Sequence, residues 1–204
     1  MACTVGIAGN EFPPGNRFFE FDITQNPPVW NQPTYPGALA TQLNNDTCGR
    51  LARMISLPNG HVLYTNGSGT IWEYTPAGVP NPAWQPSITS FPANITRHQI
   101  YNISGYLFNG MSQANFFGDD TQNATNYPII QVTMDAAPNH VYYGRTHDHS
   151  AMGVARTTLP VSTKFELWTC PRIAGAACVA ETGGANLRVI ANGIASNPVH
   201  VTIH

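Results

Sequence analysis

Two histidines that could share a metal ion are separated by a single residue in the segment 146–150, Thr-His-Asp-His-Ser. In an extended chain alternate side chains point the same way, so His147 and His149 would share one face and Asp148 the other. Neutral imidazole is a good ligand for copper or zinc, with His140 or Asp148 as possible further ligands. Two ligands fall short of the three or four that a stable site needs, so a hydrogen-bonded polar loop is the alternative interpretation.

Paired carboxylates occur at Asp119 and Asp120. With backbone carbonyls they could hold Ca²⁺. An Asp-rich turn is the commoner explanation, because Asp side chains hydrogen-bond to their own backbone in loops. The pair does not suit general acid and base catalysis, since adjacent side chains of an extended chain point in opposite directions.

Serine chemistry has little support in the sequence. No Gly-x-Ser-x-Gly pattern occurs around Ser112 or Ser150. Ser150 adjoins His149, yet sequence neighbours seldom form a nucleophile and its base. A small hydrolase is therefore the less favoured enzyme class.

The four cysteines are even in number and lack Cys-x-x-Cys spacing, which favours structural disulfides over zinc or redox chemistry. Cys170 and Cys178 close a short loop, and Cys3 and Cys48 are left as the other candidate pair.

Aromatic side chains could stack on sugar rings where they are exposed. Most are expected in the core, since aromatic strand residues usually pack across a sheet. The candidates are Trp30, Trp72, Trp84, Tyr101, Tyr106, Phe116 and Phe117.

A β-hairpin should position the two histidines. Residues 127–134 and 140–145 are rich in Ile, Val, Thr and Tyr, and the segment between them, Asp135-Ala-Ala-Pro-Asn139, favours a turn. The second strand runs directly into His147.

The remaining sequence predicts an all-β chain with no helix. Apolar residues do not recur at helical spacing over any long window, and 18 Gly and 17 Pro interrupt the chain. Residues 1–75 are expected to form a propeller-blade-like antiparallel sheet, with a Pro- and Asn-rich connection between its first two strands. Its strands are predicted at 18–23, 51–57, 62–65 and 71–74.

The second half is expected to be an immunoglobulin-like sandwich over residues 87–204, reached through a Pro-rich linker at 76–86. Beside the hairpin, its strands are predicted at 88–91, 99–104, 114–117, 163–168, 186–192 and 198–203.

Composition narrows the class of protein. Of the 204 residues 42% are hydrophobic and only 10% charged, with a net charge of −2. Such a chain can bury a core, but it offers no basic surface for nucleic acid and no apolar run long enough to cross a bilayer. Many Asn, Gly and Thr, few charges and paired cysteines favour a secreted or periplasmic protein. The N-terminal segment lacks the features of a signal peptide, so either a leader has been removed or the chain starts inside a longer parent.

Several motifs resemble the C-terminal end of the galactose oxidase and glyoxal oxidase type of kelch propeller, followed by its immunoglobulin-like (E-set) domain. They are Leu57-Pro-Asn-Gly-His-Val-Leu63, Trp84-Gln-Pro-Ser-Ile-Thr-Ser90, Thr146-His147 and Val189-Ile-Ala-Asn-Gly-Ile-Ala-Ser-Asn-Pro-Val199. Three further segments resemble the sequences of uncharacterised bacterial proteins of this kelch type. They are Phe108-Asn-Gly-Met-Ser-Gln113, Gly118-Asp-Asp120 and Asn126-Tyr-Pro128.

The resemblance implies a copper role for one residue only. In the oxidases a terminal-domain histidine helps to hold copper, and His147 lies at the matching place. The family's other ligands, a tyrosine and a histidine before the turn, fall at about Arg50 and Leu51, which are not copper ligands. The remaining tyrosine would lie in blades outside this chain.

The function that these observations favour is a secreted, non-catalytic binding or structural module, part of a larger kelch-type protein. Its expected partner is a glycan or another cell-surface component, and exposed sheet edges could join two copies. The alternative is a copper-dependent oxidoreductase that uses His147 and His149. No other cofactor is indicated.

Overall fold

A computed structural model of the chain describes residues 2–3, 16–22, 25–45, 53–65, 69–117, 121–154, 157–167 and 181–204. The protein is mostly β, with 46% strand and 7% helix, which confirms the all-β prediction. The described residues fall into two compact units, each made of three segments of the chain. No helix among the described residues is long and apolar enough to span a bilayer.

The first unit comprises the described residues of 1–55, 62–74 and 116–122. Its elements are β1 (Ala2–Cys3), β2 (Asn16–Arg17), β3 (Glu20–Asp22), β4 (Val29–Asn31), helix α1 (Gly37–Asn45), β5 (Arg53–Ser56), β6 (Val62–Thr65) and β7 (Ile71–Tyr74). Strand β1 pairs with β2, β3 pairs with β4, and β6 lies between β5 and β7 in a three-stranded sheet.

Helix α1 corrects the prediction that the chain has no helix. Its core contribution is one pair of leucines four residues apart, Leu39 and Leu43, which face the same way on a helix and are both buried. They pack with Tyr64 to form the small core of this unit. A helix of nine residues is too short to stand out as a periodic pattern, and tertiary burial decides its structure.

The second unit comprises the described residues of 56–61, 75–115 and 123–204. A short 3₁₀ turn at Pro82–Trp84 precedes its strands. These are β8 (Ser87–Ser90), β9 (Asn94–Ile95), β10 (Ile100–Tyr106), β11 (Ala114–Phe117), β12 (Thr121–Ala124), β13 (Ile129–Met134), β14 (Val141–His147), β15 (Val161–Glu166), β16 (Gly183–Ala191), β17 (Ile194–Ala195) and β18 (Val199–Ile203). Strands β11 and β12 form a separate two-stranded sheet, of which residues 116–117 and 121–122 are counted with the first unit.

The main sheet of the second unit has nine strands in the order β8-β10-β15-β14-β13-β16-β18-β9, with β17 paired to β16. Strand β14 joins its two halves, because Val141–Gly144 pair with β13 while Arg145–His147 pair with β15. Since the strand changes partners along its length, the sheet curls around one core.

The core of this unit follows from strict alternation along the strands. In β13 the side chains of Ile130, Val132 and Met134 are buried, while Ile129, Gln131 and Thr133 face outward. Facing residues of β15, β16 and β18 complete the cluster, among them Phe165, Leu187 and Val201. The hairpin predicted for the segment 127–145 is confirmed, with β13 and β14 antiparallel.

Candidate functional site

The candidate metal ligands His147, Asp148 and His149 lie at the C-terminal end of β14. His147 is the last residue of β14 and stands opposite Lys164 of β15. The next residue, Asp148, adopts a left-handed backbone conformation with φ +50. That conformation ends the extended chain, so the two-residue alternation predicted for 147–149 does not continue through the segment.

Asp148 forms a small ion cluster with its neighbours. Its Oδ2 atom lies 2.9 Å from Lys164 Nζ and 3.3 Å from His147 Nδ1. The Lys164 ammonium, through a hydrogen bond and its charge, holds the pKa of Asp148 below its usual value, with a smaller contribution from His147. Asp148 and His147 therefore lie together, and the prediction that they occupy opposite faces is wrong. The three side chains are partly or largely exposed, so their net contribution to stability is small.

His149 occupies a different environment from His147. Its Nδ1 atom lies 2.8 Å from the hydroxyl of Thr163, whose side chain is fully buried. Its ring packs edge-on against the ring of Tyr127, with the two ring centroids 5.3 Å apart. Its Nε2 atom is shielded from solvent and has no hydrogen-bond partner among the described residues. Burial, and then the charge of His147, lower the pKa of His149, so the neutral imidazole is favoured.

This arrangement gives stability a dependence on pH. The pKa of His149 is below 6.5 in the folded protein, so the unfolded chain binds the proton more readily. The contribution of His149 is therefore complete above pH 6.5 and is lost as the pH falls from 6.5 through the lowered pKa. We expect His149→Gln to flatten this part of the stability profile, measured by urea unfolding from neutral to mildly acidic pH.

Loss of an exposed imidazole serves as the control for that experiment. His204 is exposed, and its Nε2 atom lies 3.2 Å from Asn94 Oδ1. We expect His204→Gln to keep the wild-type dependence on pH. A His149→Gln profile parallel to that of the wild type would contradict the assignment.

His140 lies at the other end of the hairpin strand. It precedes β14, seven residues from His147, which is about 23 Å along an extended chain. Its Nδ1 atom lies 2.8 Å from Glu181 Oε1. The structure therefore does not bring His140 to His147 and His149. Among the described residues no three His, Cys, Asp or Glu side chains are grouped so that they could hold a metal ion.

Two other sequence predictions fall partly or wholly outside the part of the chain that the structure describes. These are the carboxylates Asp119 and Asp120 and the candidate disulfides of Cys170 with Cys178 and Cys3 with Cys48. They remain predictions.

The hydroxyl groups near His149 are engaged by the backbone. Ser150 Oγ accepts a hydrogen bond of 2.9 Å from the Ser162 amide, and Thr163 lies 0% exposed. A buried hydroxyl cannot reach a substrate. The Thr163 hydroxyl that contacts His149 is therefore not an accessible nucleophile.

An exposed aromatic pair lies on the ribbon of β3 and β4. Phe21 and Trp30 stand directly opposite each other, with ring centroids 4.6 Å apart and planes tilted by 36°. Trp30 is 64% exposed and Phe21 45%, while Phe19 meets the indole edge-on at 6.2 Å. Of the aromatic residues predicted as sugar contacts, Trp30 is exposed within this pair and Tyr106 is exposed in the second unit, while Trp72, Trp84 and Tyr101 are half-buried.

Trp30 is among the aromatic residues that the sequence predicts as sugar contacts, but Phe21 is not. Phe21 lies on β3, which pairs with β4 alone among the described strands, and its ring is 45% exposed. The sequence alone gives little indication that Phe21 and Trp30 contact each other, since the register between β3 and β4 decides which two rings are paired.

A half-buried phenol lies elsewhere in the first unit. The hydroxyl of Tyr74 donates to the Glu20 carboxylate. Burial, followed by that hydrogen bond and the charge of Glu20, raises the pKa of Tyr74 to about 12. A phenol held in its protonated form is a poor base, so the pair is best understood as structural.

A cavity of about 340 Å³ lies in the second unit, where residues 82–88 approach 197–199. Its described lining includes no Asp, Glu, His, Lys, Arg or Cys side chain. Gln85, whose amide donates to the Ala195 carbonyl at 2.9 Å, is one of its polar groups. The cavity offers hydrogen bonds but no acid or base.

No family model, no curated protein and no solved structure matches this chain.

Proposed function

We propose that this protein is a non-catalytic glycan-binding module that acts outside the cytoplasm. The observation that carries the proposal is the platform of Trp30 and Phe21, two large rings that remain exposed side by side on one ribbon. Adjacent exposed rings in a soluble unit indicate a contact surface, because their burial against a ligand is favourable.

A sugar ring suits this platform on chemical grounds. One face of a pyranose presents C–H groups, which can cover an indole while the hydroxyl groups stay hydrated or bind polar side chains. Gln32, two residues beyond Trp30, supplies such a group. Its amide nitrogen donates to the Tyr35 hydroxyl at 2.8 Å, so that its carbonyl oxygen is oriented and can accept from a sugar hydroxyl.

A binding role is better supported than a catalytic one, because the candidate acid and base groups His149 and Asp148 are already engaged by other side chains. The imidazole of His149 contacts the buried Thr163, and the carboxylate of Asp148 is paired with Lys164. Three expectations from the sequence stay predictions. They are copper binding by His147 and His149, the kelch-type and E-set resemblance, and pairing of copies through exposed sheet edges.

We expect Trp30→Ala to weaken glycan binding at least tenfold, because about 1.4 kcal/mol of stacking contact is lost with the indole. The measurement is binding of the purified chain to an array of neutral oligosaccharides, followed by titration of the best ligand. Trp30→Phe should retain part of the affinity, since a smaller ring can still stack.

Tyr106→Ala removes an exposed ring from the second unit and serves as the matched control. It should bind like the wild type. Absence of glycan binding in the wild type, or equal binding by wild type and Trp30→Ala, would overturn the proposal. Unchanged melting temperatures would show that the variants remain folded.

A further inference from the structure

The outward face of the main sheet in the second unit carries a row of polar side chains from three adjacent strands. Gln131 of β13 stands opposite Tyr143 of β14 on one side and Arg188 of β16 on the other. Residues directly opposite each other on adjacent strands have neighbouring side chains, so these three form one line of about 10 Å across the sheet.

Arg188 has no counter-ion in this row. Its side chain is half-buried, and no hydrogen bond or ion pair joins its guanidinium to any described residue. No residue of β18 stands opposite it, since β18 begins at Val199 opposite Leu187. A guanidinium carries five N–H donors in a planar fork that matches a carboxylate. The guanidinium of Arg188 can therefore pair with the carboxylate of a ligand.

The neighbours of Arg188 are already oriented. Gln131 Nε2 donates to the Tyr143 hydroxyl at 3.2 Å, which leaves the Gln131 carbonyl oxygen as an acceptor. Tyr143 is 49% exposed, so one side of its ring is open to a ligand.

A second row beside the first holds the carboxylate of Asp135 between two polar side chains. Asp135 accepts from Asn186 Nδ2 at 2.7 Å and lies 2.8 Å from His200 Nε2. Gly184 permits this close approach, because a Cβ at that position would lie 2.5 Å from Asp135 Oδ2. Asp135 is thus committed to its own partners and does not pair with Arg188.

We propose that this face, formed by Tyr143, Gln131, Arg188, Asn186 and His200, binds a carboxylate-bearing saccharide such as a uronic acid oligomer. Arg188 pairs with the carboxylate, the Tyr143 ring covers a sugar ring, and the amides and the imidazole bind hydroxyl groups. The site lies on a different unit from Trp30 and does not depend on the function proposed for the first unit.

A saccharide fits this face better than an acidic peptide does. An extended peptide binds to a sheet through the free backbone groups of an edge strand. Strands β14, β13 and β16 are interior strands that pair on both sides, so this face offers side chains rather than a free edge. Rings and amides on a flat surface suit a flat sugar.

The test is titration of the full chain with short oligomers of galacturonate, alginate and hyaluronan. We expect binding of at least one of them, weakened at least about tenfold in Arg188→Gln, because a paired charge is lost. Methyl esterification of the galacturonate oligomer should weaken binding to a similar extent, and added salt should also weaken it. Arg188→Lys, which keeps the charge without the planar fork, should bind at an intermediate level.

Two variants serve as controls. Arg53→Gln removes the same charge from an exposed position of the first unit, and Trp30→Ala removes the aromatic platform there. Both should bind uronate oligomers like the wild type. No binding of any acidic oligomer, equal binding of the acid and its ester, or equal loss in Arg53→Gln would overturn the proposal, as would equal binding of a polyglutamate peptide.

Discussion

Gly105→Ala is expected to lower the free energy of unfolding of the second unit by about 3 kcal/mol, because the position has no room for a methyl group. A Cβ there would overlap the carbonyl oxygen of Ser87 and would lie 2.5 Å from Phe108 Cε1. Phe108 is fully buried, and Ser87 belongs to the edge strand β8. The alanine can be accommodated only by displacing β8 or the core ring, and either change loses packing.

Gly153→Ala is the matched control, since a Cβ at Gly153 meets no atom within 4 Å. We expect it to change the free energy of unfolding by less than about 0.5 kcal/mol. Urea unfolding monitored by tryptophan fluorescence measures both variants. A loss below about 1 kcal/mol in Gly105→Ala would show that β8 moves aside freely.

The β-rich part of this fold could be predicted because the information is local. The strands β6, β7 and β11 have the bounds predicted from β-branched and aromatic runs between turn residues. The hairpin of β13 and β14 follows from its turn segment, and the alternation of its buried residues follows from the two-residue period. Helix α1 escaped prediction because only Leu39 and Leu43 mark its buried side.

The geometry of the candidate sites depends on information that the sequence does not contain locally. The backbone turn at Asp148 breaks the two-residue alternation predicted for 147–149, and an Asp residue tolerates that conformation without a pattern that predicts it. Tyr143, Gln131 and Arg188 are brought together by strand register across the sheet. Register between strands far apart in sequence is set by the whole core, so single residues do not reveal it.

Asn192→Ala should lower the free energy of unfolding of the second unit by about 3 kcal/mol, because one side chain makes four hydrogen bonds to backbone groups. Asn192 Oδ1 accepts from the amides of Met111 at 2.7 Å and Ser112 at 3.0 Å. Its Nδ2 donates to the carbonyls of Ser112 at 3.0 Å and Thr125 at 3.1 Å. The backbone of Asn192 has φ +48, which alanine adopts less readily than asparagine.

The destabilisation caused by Asn192→Ala should be concentrated in the backbone that the Asn192 side chain holds, whereas a general loss of packing would affect the whole unit. Hydrogen exchange at the Met111 and Ser112 amides should accelerate in Asn192→Ala more than exchange at Val132 in the interior strand β13. Asn192→Asp keeps the two acceptor contacts and the favourable backbone, but sets an oxygen against two carbonyls, so its stability should fall between wild type and alanine variant. Asn197→Ala, at an exposed position, should be neutral within about 0.5 kcal/mol. Equal exchange rates at Met111 in wild type and Asn192→Ala would mean that this loop is held by the backbone alone, and that the four contacts only follow its position.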